Sequence, residues 1–173
     1  MELRGFKENI ECVEKHMEFI YENLHEILEK LDKLMPENIE LIQRVRGYVL
    51  QYYKEIQRIK LVVDLLSDSD VKNKDDKELI LYVVTSLSSI RKKLRTIRKI
   101  LHSLKNSLID KEYEKLKEQF SNTKITLKEY SFPTDIASML EEIMDCRGNI
   151  YAAERHISEF ITATLNKFKK ENE

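Results

Sequence analysis

Five residues in one stretch have the types and spacing to handle phosphate. Arg91, Arg95, Arg98, His102 and Lys105 follow one another at steps of four, three, four and three. On a helix such steps place all five in one line, about 21 Å long at 1.5 Å per residue. Cations so arranged neutralise phosphates and release counterions, a binding mode that reads charge and weakens with salt. Residues 79–109 carry a single aromatic ring, Tyr82, so stacking on single-stranded bases is not expected of this segment.

Arg95 and His102 enclose six residues. That spacing resembles the Arg-x(4–6)-His motif of the HEPN ribonucleases, which are also helical bundles. Thr96 stands where that motif often carries a polar residue after the arginine. The resemblance covers eight residues. It implies Arg95 and His102 acting together on a scissile phosphate, usually across a dimer.

Other reactive residues stand apart. Glu22 and His25 form one Glu-x-x-His element of the kind di-metal bundles use. Those sites need it twice, and Glu154 and His156 are only two apart, so a surface His25 and no metal centre are expected. Cys12 and Cys146 lack zinc-type neighbours. Cys146 falls among apolar positions and reads as a small core residue, whereas Cys12 falls off them. Gly5, Gly47 and Gly148 are isolated, so no phosphate-cradling loop exists. Gly148, between Arg147 and Asn149, stands in a helical pattern where glycine costs about 1 kcal/mol relative to alanine. It can permit close helix approach, a kink or a partner contact, and a packing reason is expected over a site.

Four elements must position these residues. The first stripe runs Leu3, Phe6, Ile10, Val13, Met17, Ile20, Leu24, Ile27, Leu31, Leu34, alternating threes and fours until Pro36. The second runs Ile42, Val45, Val49, Tyr52, Ile56, Ile59, Val63, Leu66 and stops at Ser67–Asp70. The third runs from Ile80 through Leu94 and Ile97 to Leu108, with Asp75 and Glu78 spaced as a capping box. Beyond Leu108 the phase slips to Ile109, Tyr113, Leu116 and Phe120. Either the third helix bends near Ser107 or a short fifth helix begins near 110–120. Residues 121–133 read as a connection, and the strand-like Ile125-Thr126-Leu127 has nothing to pair with. The fourth stripe runs from Met139 through Cys146, Ile150 and Ile157 to Thr164, with Thr134 as its expected N-cap.

This regularity favours gently supercoiled packing. Tyr21, Leu28, Met35, Leu41, Tyr48 and Val62 widen the first two stripes, which suits a multi-helix bundle better than a two-stranded rod. The expected fold is all-α: an elongated antiparallel four-helix bundle, one domain over 1–173, with helices near 2–35, 37–67, 76–119 and 134–169. An overhang of the long third helix would expose Ile109, Tyr113, Leu116 and Phe120 and favour a homodimer.

Charge is segregated along this frame. Lys and Arg total 30 and Asp and Glu 31, but residues 1–40 hold five basic and eleven acidic side chains, whereas 79–109 hold seven basic and none acidic. Glu11, Glu14 and Glu18 form an acidic line on the first helix. The acidic and basic lines either meet within the bundle or stay solvated, or else the basic one serves phosphate or an acidic partner. With 42% hydrophobic and 35% charged residues, three Gly and two Pro, the chain is neither disordered nor an all-β protein. No apolar run approaches a membrane span, and two Cys suit a reducing compartment, so a cytoplasmic location is expected. The expected function is non-enzymatic: a helical scaffold or adaptor that binds a protein partner or itself through a helix face, without a cofactor. The alternative is a nucleic-acid-associated protein using the 91–105 face weakly and without sequence preference, with a HEPN-like ribonuclease as its extreme.

Overall fold

The computed structural model describes residues 3–65, 74–120 and 133–171. Among them every regular element is helical: α1 (Leu3–Leu34), a 3₁₀ turn (Pro36–Asn38), α2 (Ile39–Leu65), α3 (Lys74–Phe120) and α4 (Thr134–Glu171). The expected stop at Ser67–Asp70 and the Ile125-Thr126-Leu127 segment lie outside the described residues. None of these helices is long and apolar enough to cross a membrane.

The corner between α1 and α2 follows from Pro36. Proline disfavours an α conformation in the residue before it, and Met35 leaves the helix at φ −134°, ψ 60°. Its amide still closes the last turn of α1 by donating to the Leu31 carbonyl at 2.8 Å, and Asn38 donates to the Met35 carbonyl at 3.0 Å. The 3₁₀ turn thus delays α2 by two residues relative to the expected start at 37. The start of α4 differs by one position. The Ala137 amide donates to the Pro133 carbonyl at 2.9 Å, which makes Pro133 the cap and Thr134 the first helical residue. Asp75, expected as a cap, is already inside α3.

The helices pack in chain order, α1 on α2, α2 on α3 and α3 on α4, and α4 closes the ring on α1. Two contacts per helix pair give the antiparallel senses: Lys60 of α2 with Glu18 of α1 and Arg46 with Asp32, Phe6 of α1 with Phe160 of α4 and Lys30 with Glu142, and Arg91 of α3 with Ser158 of α4 and Arg98 with Glu154. One continuous core runs through all four helices. Leu24, Ile27, Ile56, Ile59, Leu94, Ile97, Ile150 and Ile157 are all buried in it. The widening residues join it as well: Leu28 and Met35 are buried, and Tyr21, Leu41, Tyr48 and Val62 pack half-buried against it. The Tyr52 hydroxyl, buried in that core, donates to the Met17 carbonyl across α1 and α2.

α3 is one unbroken helix of 47 residues, roughly 70 Å long. No separate fifth helix begins near 110–120. Past Leu108 the buried positions are Glu112 and Leu116, not Ile109 and Tyr113; Ile109 is half-buried and Tyr113 exposed. Steps of four advance the buried face by about 40° each, so the seam rotates around the helix there. Lys111 anchors this stretch to the α1–α2 corner, donating to the Leu34 carbonyl at 2.6 Å and pairing with Glu37 at 3.1 Å. A cation thereby closes the C-terminal end of α1, where carbonyls lack helical partners. Of the expected apolar overhang, Leu116 is buried and Tyr113 lies under the Lys117 ammonium, 4.9 Å from its ring centre. The Phe120 side chain lies outside the described residues.

Candidate functional site on the α3–α4 face

The five-residue basic line sits where α3 meets α4, and the structure divides it. The upper part is tied to α4. Arg91 donates to the Ser158 hydroxyl at 3.1 Å. Arg98 donates to both oxygens of Glu154, from Nε at 2.7 Å and from Nη2 at 3.3 Å. Arg95 reaches the same carboxylate at 3.5 Å and remains 57% exposed. Glu154 itself is 5% exposed, a buried anion that is tolerable only because guanidinium groups satisfy it. The Tyr151 ring lies 5.3 Å from the Arg98 guanidinium carbon, adding a cation–π contact on the second side.

The lower part is different. His102 is exposed, with the Asn106 amide 3.4 Å from its Nε2. Its pKa is held below the usual imidazole value, first by Arg147 from α4, then by desolvation, then by Lys105. Among the described residues no carboxylate lies within ion-pair distance of Lys105 or Arg147. The buried Nε of Arg147 also meets no acceptor. The continuous track of five thus becomes two parts: three arginines bound to Glu154 and Ser158, then His102 and Lys105, which make no ion pair among the described residues.

The acidic line on α1 never meets the basic one. α1 and α3 lie diagonally across the bundle, so their flanking charges reach α2 and α4 instead. Glu18 pairs with Lys60. Glu14 stands beside that pair with its pKa raised to about 7, chiefly by burial, with Glu18, Asp64 and Glu11 adding to the rise and Lys60 opposing it.

Remaining candidates are scattered. Glu22 and His25 are both exposed, and His25 pairs with Glu29 at 3.2 Å. Glu154 is buried and His156 exposed. Cys12 is exposed; Cys146 is buried, and burial pushes its thiol up to about 12. Gly148 departs from expectation, because a Cβ there would meet nothing within 4 Å. It serves no close helix approach. It instead borders an open cavity of about 550 Å³ between α1 and α4, lined also by Phe19, Asn23, Ile27, Met144 and Asp145.

Arg147, Tyr151 and Glu154 complete the α3–α4 face and were not grouped with the basic line by sequence. Their spacing of four and three on α4 is the signal that could have found them. Chemically the face offers an exposed imidazole, two arginines held by one buried carboxylate, and two cations that meet no carboxylate among the described residues. Compared with known proteins, the chain matches no family model, no curated protein and no solved structure.

Proposed function

We propose that this chain is a non-enzymatic interaction and assembly protein that binds a protein partner through a helix face, in the cytoplasm and without a cofactor. The observation that carries the reading is the α1–α4 cavity, flanked by Phe19 and Met144 at 52% and 57% exposure. Large apolar side chains left half-open beside a groove are typical anchors for a partner helix. The alternative, a nucleic-acid-associated protein with a HEPN-like ribonuclease as its extreme, draws less support from the geometry. Arg95 and Arg98 are engaged with Glu154, and a carboxylate in the middle of the track repels a phosphate backbone. A homodimer through the α3 overhang also draws less support, since Leu116 is buried.

The test is a paired substitution, Phe19→Asp with Met144→Asp. A partner captured by cross-linking in the native host should be lost from the variant while its helical circular dichroism persists. Retention of that partner would refute the groove reading. Sedimentation of the purified wild type decides whether the partner is a second copy.

A further inference from the structure

Both walls of the α1–α4 groove are acidic. Glu22 and Glu26 stand one turn apart on α1, just after Phe19, and Glu141 and Asp145 stand one turn apart on α4, around Met144; all four carboxylates are exposed. The bases along these stretches are engaged or turned away. Lys30 pairs with Glu142 and His25 with Glu29, and Arg147 shares the α3-facing line of Tyr151 and Glu154 at steps of four and three. Among the described residues no cation lies within ion-pair distance of Glu22, Glu26, Glu141 or Asp145. Between these walls Phe19 and Met144 are left open, and Gly148 adds no side chain to fill the space.

The outer side of α2 has the opposite character. Leu50, Lys54, Arg58 and Leu61 follow at steps of four, four and three, so they share one side of the helix. All four are exposed, the leucines at 51% and 67%. Gln51 and Gln57 complete this side, while Glu55 turns to Lys93 of α3 and Asp64 sides with Glu14 of α1. No carboxylate among the described residues lies within ion-pair distance of Lys54 or Arg58. Two leucines flanking two cations thus face solvent on one helix, and two open apolar side chains flanked by carboxylates face it on another pair.

We infer that the occupant of the α1–α4 groove is a second copy of this chain, which lays the outer side of its α2 along it; the inference rests on the groove reading above. Leu50 and Leu61 then leave water against Phe19 and Met144, which supplies the driving force. Lys54 and Arg58 meet the carboxylates of the two walls, which sets the orientation and rejects a partner of like charge. In the ring of helices α2 stands diagonally from α4, so the inserted face and the receiving groove are different surfaces of one molecule. Such a contact is heterologous, and every copy added leaves one face and one groove free. Assembly therefore runs on into a ring or a chain instead of stopping at two.

Sedimentation velocity of the full chain, across a range of concentrations in low salt, reads the assembly, and circular dichroism reads the fold. The wild-type mass should climb past that of two copies with concentration and fall back as salt rises, because exposed charge pairs are screened. Lys54→Glu with Arg58→Glu, and separately Glu26→Lys with Asp145→Lys, should each weaken association about tenfold or more. All of these positions are exposed, so the helical signal should persist. Mixing the two variants should restore assembly, since an acidic α2 then meets a basic groove and a basic α2 meets an acidic one. A monomer at every concentration overturns the inference, as does assembly that survives both reversals or that mixing fails to restore. Failure of the groove itself reads differently. A monomeric chain whose host partner is still lost with Phe19→Asp and Met144→Asp keeps the groove and assigns it to another protein. Self-assembly that persists in that paired variant removes the groove from this role.

Discussion

Arg98 holds Glu154 with two donors, Nε at 2.7 Å and Nη2 at 3.3 Å, across the α3–α4 seam. The carboxylate is buried and the guanidinium mostly so, at 26% exposure. Breaking such a pair from one side leaves the other charge without its counterion. Glu154→Gln should therefore destabilise the fold by about 1–3 kcal/mol, read as a lower midpoint in urea. A double-mutant cycle with Arg98→Gln should show coupling; additive losses would mean that the two residues act separately.

The core prediction concerns Ile97, which is fully buried on α3. Ile97→Ala removes its methyl and methylene contacts and leaves a cavity, so a loss of about 2–5 kcal/mol is expected. Chemical denaturation measures it. A loss below that range would mean that the helices close around the gap.

Gly148 gives a prediction of opposite sign. A side chain at this helical position would meet nothing within 4 Å, and the same holds at Gly47 in α2. Alanine restricts the unfolded chain without a clash in the folded one, so Gly148→Ala and Gly47→Ala should each stabilise by about 0.5–1 kcal/mol. Thermal unfolding tests both. A loss at Gly148 alone would show that the open cavity wall must stay bare.

The acidic line on α1 should make stability depend on pH. Glu14 takes up its proton near pH 7 in the folded protein, against 4.5 for an ordinary glutamate, chiefly because it is half-buried; Lys60 opposes the rise, and Glu18, Asp64 and Glu11 add to it. The folded state binds this proton more tightly than the unfolded chain does. The resulting stabilisation is fully present below pH 4.5 and is lost as pH rises through about 7. Wild type should lose melting temperature between pH 5 and 8 more steeply than Glu14→Gln, which has no proton to give up. Identical slopes would assign the dependence to other groups.

Much of this molecule could be read along the chain. Alternating threes and fours place Leu24, Ile59, Leu94 and Ile150 on the buried side of their helices whatever the neighbours are, because a helix turns about 100° per residue and water rejects the apolar face. Pro36 likewise marks the corner without help from packing. What spacing leaves open is which charged flank meets which. The acidic and basic lines on α1 and α3 looked complementary, yet chain order around the ring sets these two helices on a diagonal. Side chains beside a seam reach only adjacent helices, so Glu18 found Lys60 and Arg98 found Glu154. The same geometry brought Lys111 to the end of α1. Residues that lie 56 and 77 positions apart meet only once four helices have closed around one core.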